Sequence, residues 1–126
     1  MGAGDVADFQ SAGRILFSLG LVKGSDGNLS TWDGERLRIT RTGSELAQLA
    51  EDDVLEGTLD APPEGASIDL ELHVRRYRER GPGAVAHAHP PGGVPEGEGE
   101  THGAYAFAGT LRAAVEEIVT GARSSA

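Results

Sequence analysis

The amino-acid pattern predicts a single compact α/β domain covering residues 1–126. A chain of 126 residues has the size of one ordinary domain and can bury a modest core. Helix-period and strand-like segments alternate along it. Its 19 glycines imply many tight turns or close backbone approaches. There is no internal repeat and no sign of a second domain.

The elements follow in order. Residues 5–19 form an amphipathic helix pattern, with Val6, Phe9, Leu16 and Leu19 near a 3.6-residue period, Asp5 as a cap and Gly20 as the stop. The run Gly24-Ser25-Asp26-Gly27-Asn28 is a turn or loop. Strands are expected at 29–32 and 36–40, joined at Asp33-Gly34, a hairpin signal. Residues 41–53 are a polar loop with a short helical turn, and 54–59 a further strand. Ala61-Pro62-Pro63-Glu64-Gly65 breaks regular structure. A helix is expected from about Ser67 to Arg80, with Ser67 as N-cap and Arg75, Arg76, Arg78 and Arg80 matching the negative end of its dipole. Ala84 to His89 is a short buried strand. Residues 90–101 are almost all Pro, Gly and Glu, which predicts a mobile loop. Ala104 to Ala108 is a last strand, and Thr110 to Thr120 a last helix with Leu111, Val115, Ile118 and Val119 inward and Gly121 as its stop.

The net charge of −9 repels phosphate backbones and argues against nucleic-acid binding. A small anionic substrate stays compatible with it, because local chemistry overrides the global field. The absence of cysteine removes disulfides, thiolate ligands and cysteine nucleophiles. No apolar run approaches membrane-spanning length, and the first residues lack the basic and apolar regions of a signal peptide. A cytoplasmic location without membrane contact is expected.

His87 and His89 are two residues apart, so on a strand their side chains share a face about 6–7 Å apart along the chain. Two imidazoles so placed can share one ion. His102 follows the loop at 90–101, which can carry it back to the pair. Three histidines with an open position is a catalytic zinc pattern, although imidazole also suits other transition metals. The competing reading is plain: an isolated His-x-His is weak, and loop histidines are often only solvated.

Five motifs sharpen the choice: Gly24 to Ser30, Leu37-Arg38-Ile39-Thr40-Arg41-Thr42-Gly43, Ser67-Ile68-Asp69, His87-Ala88-His89-Pro90 and His102-Gly103. In this order, over nearly the whole chain, they resemble the class II aldolase/adducin family. The resemblance implies a central, mainly antiparallel sheet flanked by helices. It implies a zinc ion, or another divalent transition metal, on His87, His89 and His102. It places the phosphate of a small phosphorylated sugar at Asn28, Thr42, Gly43 and Ser67. The local chemistry agrees: Gly24 to Gly27 can present backbone N–H groups, and Thr42 and Ser67 offer hydroxyls. Asp69 aligns with the family's glutamate, described as a transient metal ligand and the general acid/base. Aspartate is one methylene shorter, and its simpler role is a first-turn carboxylate complementing the helix dipole. His73 is read as structural.

The activity so implied is that of a metal-dependent lyase of aldolase type in carbohydrate metabolism, cleaving a carbon–carbon bond through a metal-stabilised enediolate. Epimerases and dehydratases of the family share such a site. Family members are commonly cyclic tetramers, so a homo-oligomer is expected. Two departures bear on function. Only residues 90–101 separate His89 from His102, where the family carries a longer stretch that walls the site, and the chain stops soon after its last helix. An open site excludes water poorly and weakens electrostatic catalysis. A non-catalytic member that binds metal or a protein partner, as adducin's head domain serves the cytoskeleton, is therefore the alternative.

Overall fold

The computed structural model describes residues 2–67, 69–89 and 104–125, with side chains at 6–67, 69–89 and 104–121. The expected loop at 90–101 and His102 lie outside the described residues.

Helix α1 (Gly2–Ser18) buries Phe9, Ala12 and Leu16 along one stripe, as the period requires. It ends in paired bonds from the Leu21 N–H to the Leu16 carbonyl and from the Gly20 N–H to the Phe17 carbonyl, with Gly20 at φ 74°. This left-handed closure turns the chain off the helix. Leu19, expected inward, is 49% exposed, because the helix stops one residue before it.

Strands β1 (Asn28–Trp32) and β2 (Leu37–Thr40) pair antiparallel, with Trp32 opposite Leu37. The hairpin loop thus holds four residues, folded by the Asp33 carboxylate accepting from the N–H groups of Glu35 and Arg36. Two short 3₁₀ turns follow, at Leu46–Gln48 and Glu51–Asp53, and Leu46 is fully buried in the same core as α1. Then come β3 (Val54–Gly57), α2 (Leu70–Arg80), β4 (Gly83–Ala88), β5 (Ala104–Ala108) and α3 (Leu111–Ser125).

The five strands form one sheet in the order β3-β2-β1-β4-β5, and every neighbouring pair is antiparallel. The chain lays three strands side by side, then crosses through α2 to the far side of β1. Alternation along the strands builds two cores. Ala84, Ala86 and Ala88 of β4 join Leu29, Phe9, Leu16, Val115 and Ile118 beneath α1 and α3. Val85 joins Leu37 and Tyr77 beneath α2, where Tyr77 meets the rings of Trp32 at 5.9 Å and Phe107 at 6.1 Å.

Three expected boundaries are corrected. Helix α2 starts at Leu70, not near Ser67: Asp69 takes the N-cap position, while Ser67 lies in an extended segment whose N–H pairs with the Thr40 carbonyl. Strand β4 stops at Ala88, so His89 stands just past it. Helix α3 runs through Gly121 to Ser125; a glycine costs helix stability but does not by itself end a helix. Among the described residues, no helix is long and apolar enough to cross a membrane.

Candidate functional site

The register of the sheet places Asn28 opposite His87, and His87 opposite Tyr105. These residues of β1, β4 and β5 form a row on the face that α2 covers. Asp69 comes onto this row from the start of α2. Its Oδ2 lies 2.8 Å from Asn28 Nδ2 and 3.0 Å from His87 Nδ1. The loop before β1 passes close behind: a Cβ on Gly27 would stand 2.7 Å from the His87 carbonyl oxygen, and φ is +81° there. Only glycine fits that crossing without strain.

His87 is 3% exposed. The Tyr105 ring stacks on it at 3.9 Å with planes 8° apart, and the His89 ring lies 4.6 Å away. Burial lowers the His87 pKa to about 4, against the opposing pull of Asp69, so the ring is neutral at ordinary pH. Burial pushes the Asp69 carboxyl up, but the Asn28 amide, His87 and the Tyr105 hydroxyl outweigh it and hold it below its usual value. An ionised carboxylate only accepts hydrogen bonds, so His87 donates through Nδ1. Its Nε2 is then a bare lone pair, buried and without a hydrogen-bond partner among the described residues.

That orphaned nitrogen tests the expected metal. An imidazole that gives one nitrogen to a carboxylate and keeps the other free is arranged as metal-binding histidines are. His89 is exposed beside it, its backbone tied to Leu21 by an N–H to carbonyl bond of 2.8 Å. The donor chemistry of this pair fits a divalent transition metal. Among the described residues, no three His, Cys, Asp or Glu side chains gather as a complete cation site, and His102 stands outside them.

A cavity of about 150 Å³ opens beside the pair. Its walls are the loop Ser25 to Asn28, the turn Arg41 to Ser44, Ser67, Asp69, His87 and His89. Every site residue anticipated from the sequence lines it, His102 excepted. The Thr42 N–H is spent on the Gly65 carbonyl and the Ser67 N–H on the Thr40 carbonyl, so these residues offer a ligand their hydroxyls. Ser67 Oγ accepts from the Asp69 N–H at 3.2 Å, which frees its own hydrogen to donate. Gly43 sits at φ 78° in the turn. A larger hollow of about 730 Å³ lies between α1 and the start of α3, but no histidine lines it.

The family pattern described as Class II Aldolase and Adducin N-terminal domain matches residues 7–95. The chain belongs to this family. Within it, the L-fuculose phosphate aldolase of Methanocaldococcus jannaschii is 35% identical over 88 residues, 68% of this chain and 49% of that one. The methylthioribulose-1-phosphate dehydratase of a Bradyrhizobium species is 40% identical over 81 residues, 62% of this chain and 38% of that one. The L-fuculose-1-phosphate aldolase structure from Thermus thermophilus superposes with a TM-score of 0.67 at 39% identity, covering 72% of this chain and 48% of that one. The fold is class II aldolase-like, and the chain spans about half the length or less of these relatives.

Four residues that line or support this cavity were given no site role in the sequence reading. Arg41 lines the cavity and also faces Asp53 at 3.4 Å. Tyr105 forms the stacking wall. His73, read as structural, is fully buried with Nε2 2.5 Å from Asn28 Oδ1, and Ser30 lies beneath it with Oγ 2.5 Å from His73 Nδ1. The spacing of Asp69, His73 and Tyr77, four residues apart along one helix and its N-cap, was the available signal.

Proposed function

We propose that this pocket binds a divalent metal, zinc above all, on His87, His89 and His102, and acts on a small phosphorylated sugar as an aldolase-type lyase. The observation that carries the reading is the buried, unpartnered Nε2 of His87, with Nδ1 anchored to Asp69 and His89 beside it. The metal when bound supplies Lewis-acid stabilisation of negative charge developing on substrate oxygen.

The protein's own groups divide the remaining work. Thr42 and Ser67 hydroxyls, with Gly43 in the tight turn, take the phosphate, and Asn28 faces the same end. Asn28 gives its carbonyl to His73 and one amide hydrogen to Asp69, which leaves one hydrogen for substrate. Asp26 and Asp69 make much of the lining acidic, and Arg41 adds one positive charge. A phosphate there gains from a further cation, which favours the metal reading. Asp69 is the group placed to move a proton.

The test is release of dihydroxyacetone phosphate from a panel of ketose 1-phosphates by zinc-loaded protein. Turnover that disappears in His87→Ala supports the reading, and no turnover across the panel with metal bound sinks the lyase. The 40% identity to a dehydratase favours one other outcome, loss of water from a related sugar phosphate, which product analysis separates. A non-catalytic binding domain is the remaining reading, and metal bound without turnover across the panel would support it. Ile15, Phe17 and Leu19 are 40–51% exposed around the end of α1 and support a homo-oligomer, tetrameric as is common in the family. A clean monomer by light scattering rejects that.

A further inference from the structure

We propose that His73 is a positioning residue: through the Asn28 amide it fixes the Asp69 carboxylate against Nδ1 of His87, so that His87 presents only Nε2 to a cation. The inference rests on the reading of the pocket as a metal site, but it concerns hydrogen bonds made without the metal.

Two stripes interleave. Along α2 and its N-cap, Asp69, His73 and Tyr77 are four residues apart; on β1, Asn28 and Ser30 are two apart. Each period aims its residues at one face. The contacts alternate between the elements: Asp69 to Asn28 at 2.8 Å, Asn28 to His73 at 2.5 Å, His73 to Ser30 at 2.5 Å and Ser30 to Tyr77 at 2.7 Å. His73 and Ser30 are 0% exposed and Tyr77 1%, so water does not substitute for these partners.

The donors and acceptors admit one assignment. Asp69 only accepts, so Asn28 turns its nitrogen to Asp69 and its oxygen to His73. That oxygen only accepts, so His73 carries its hydrogen on Nε2. A neutral ring then has a lone pair on Nδ1, and Ser30 donates to it. Tyr77 donates in turn to Ser30. The opposite tautomer of His73 would set its Nε2 lone pair against the Asn28 oxygen. Flipping Asn28 to relieve that would set the amide oxygen against the Asp69 carboxylate. Either conflict would unseat Asp69 from His87. Asn28 Nδ2 also stands 3.4 Å from His87 Nδ1, but both are donors there, and they share one carboxylate oxygen.

The test begins with histidine-labelled, metal-free wild-type protein and long-range proton–nitrogen spectra. His87 is expected as the Nδ1–H tautomer and His73 as the Nε2–H tautomer; either ring in the other tautomer overturns the proposal without any substitution. His73→Leu fills the space with no donor, whereas His73→Gln restores an N–H near the Nε2 position. The Leu variant is expected to give mixed His87 tautomers and about tenfold weaker zinc binding, with Gln recovering both. Unchanged tautomer and affinity in His73→Leu would overturn the proposal. Should that variant fail to fold, Tyr77→Phe, which removes the outermost donor, is expected to loosen the His73 tautomer, and the wild-type spectra still decide. Wild-type protein with the expected tautomers but no zinc binding would uphold the hydrogen-bond chain and remove the metal reading, so the two fail separately.

Discussion

Asp69 and His87, 18 residues apart in the chain, meet in the wall of the pocket with the carboxylate 3.0 Å from the imidazole Nδ1. This contact decides which ring nitrogen keeps its lone pair free. Loss of the carboxylate is therefore expected to weaken metal binding without removing a proposed ligand. Asp69→Asn keeps the size but turns an acceptor into a group that donates as well. Zinc affinity is expected to fall about 10–100-fold, read by competition with a chelating dye. Equal affinity would mean that the carboxylate does not orient the ring.

The buried histidines make stability acid-sensitive. His73 has its pKa lowered from 6.5 to about 3 by burial, with His87 adding to the effect and Asp69 opposing it. A base depressed in the folded state leaves stability intact above 6.5, where the ring is neutral in both states. As pH falls, the unfolded chain takes up a proton that the folded chain refuses, so stability declines from about 6.5 down to about 3. The slope per histidine approaches about 1.4 kcal/mol per pH unit. Urea unfolding of metal-free protein at pH 7 and pH 5 is expected to show the decline, and His73→Gln to make it shallower by about one proton. An equal slope in both proteins would contradict the burial argument.

Gly27→Ala probes the crossing behind His87. The new methyl meets the His87 carbonyl oxygen at 2.7 Å and Val22 Cγ1 at 2.9 Å, in a backbone conformation alanine adopts with strain. A loss of about 1–3 kcal/mol in unfolding free energy is expected. Gly43→Ala has the same sign of φ but no atom within 4 Å of the added methyl, so it should cost less. A Gly27 variant as stable as wild type would mean that the loop does not lie against β4 as described.

Much of this architecture was legible beforehand, for local reasons. Strand β5 at Ala104–Ala108 stands between a glycine and a Gly-Thr pair, and periodicity marked the buried side of α3. The His-x-His pair and the glycine-rich loop pointed to one pocket because their order followed a family pattern. What stayed hidden depended on distant pairings. Ser67 has the chemistry of an N-cap, but it pairs with Thr40 as extended chain, Asp69 takes the cap position and the helix starts at Leu70. His73 looked like a core histidine because no local rule says which strand lies under a helix. Only the strand order, with β1 beside β4, brings Asn28 and Ser30 beneath α2 and next to His87.

The most direct measurement is elemental analysis of the purified protein after dialysis against zinc, made on wild type and on His87→Ala, with folding checked by circular dichroism. About one zinc per wild-type chain and a marked loss in the folded variant is the predicted result. Wild-type protein without zinc, or a folded His87→Ala that keeps a full equivalent, would contradict the claim that the buried nitrogen of His87 holds a metal.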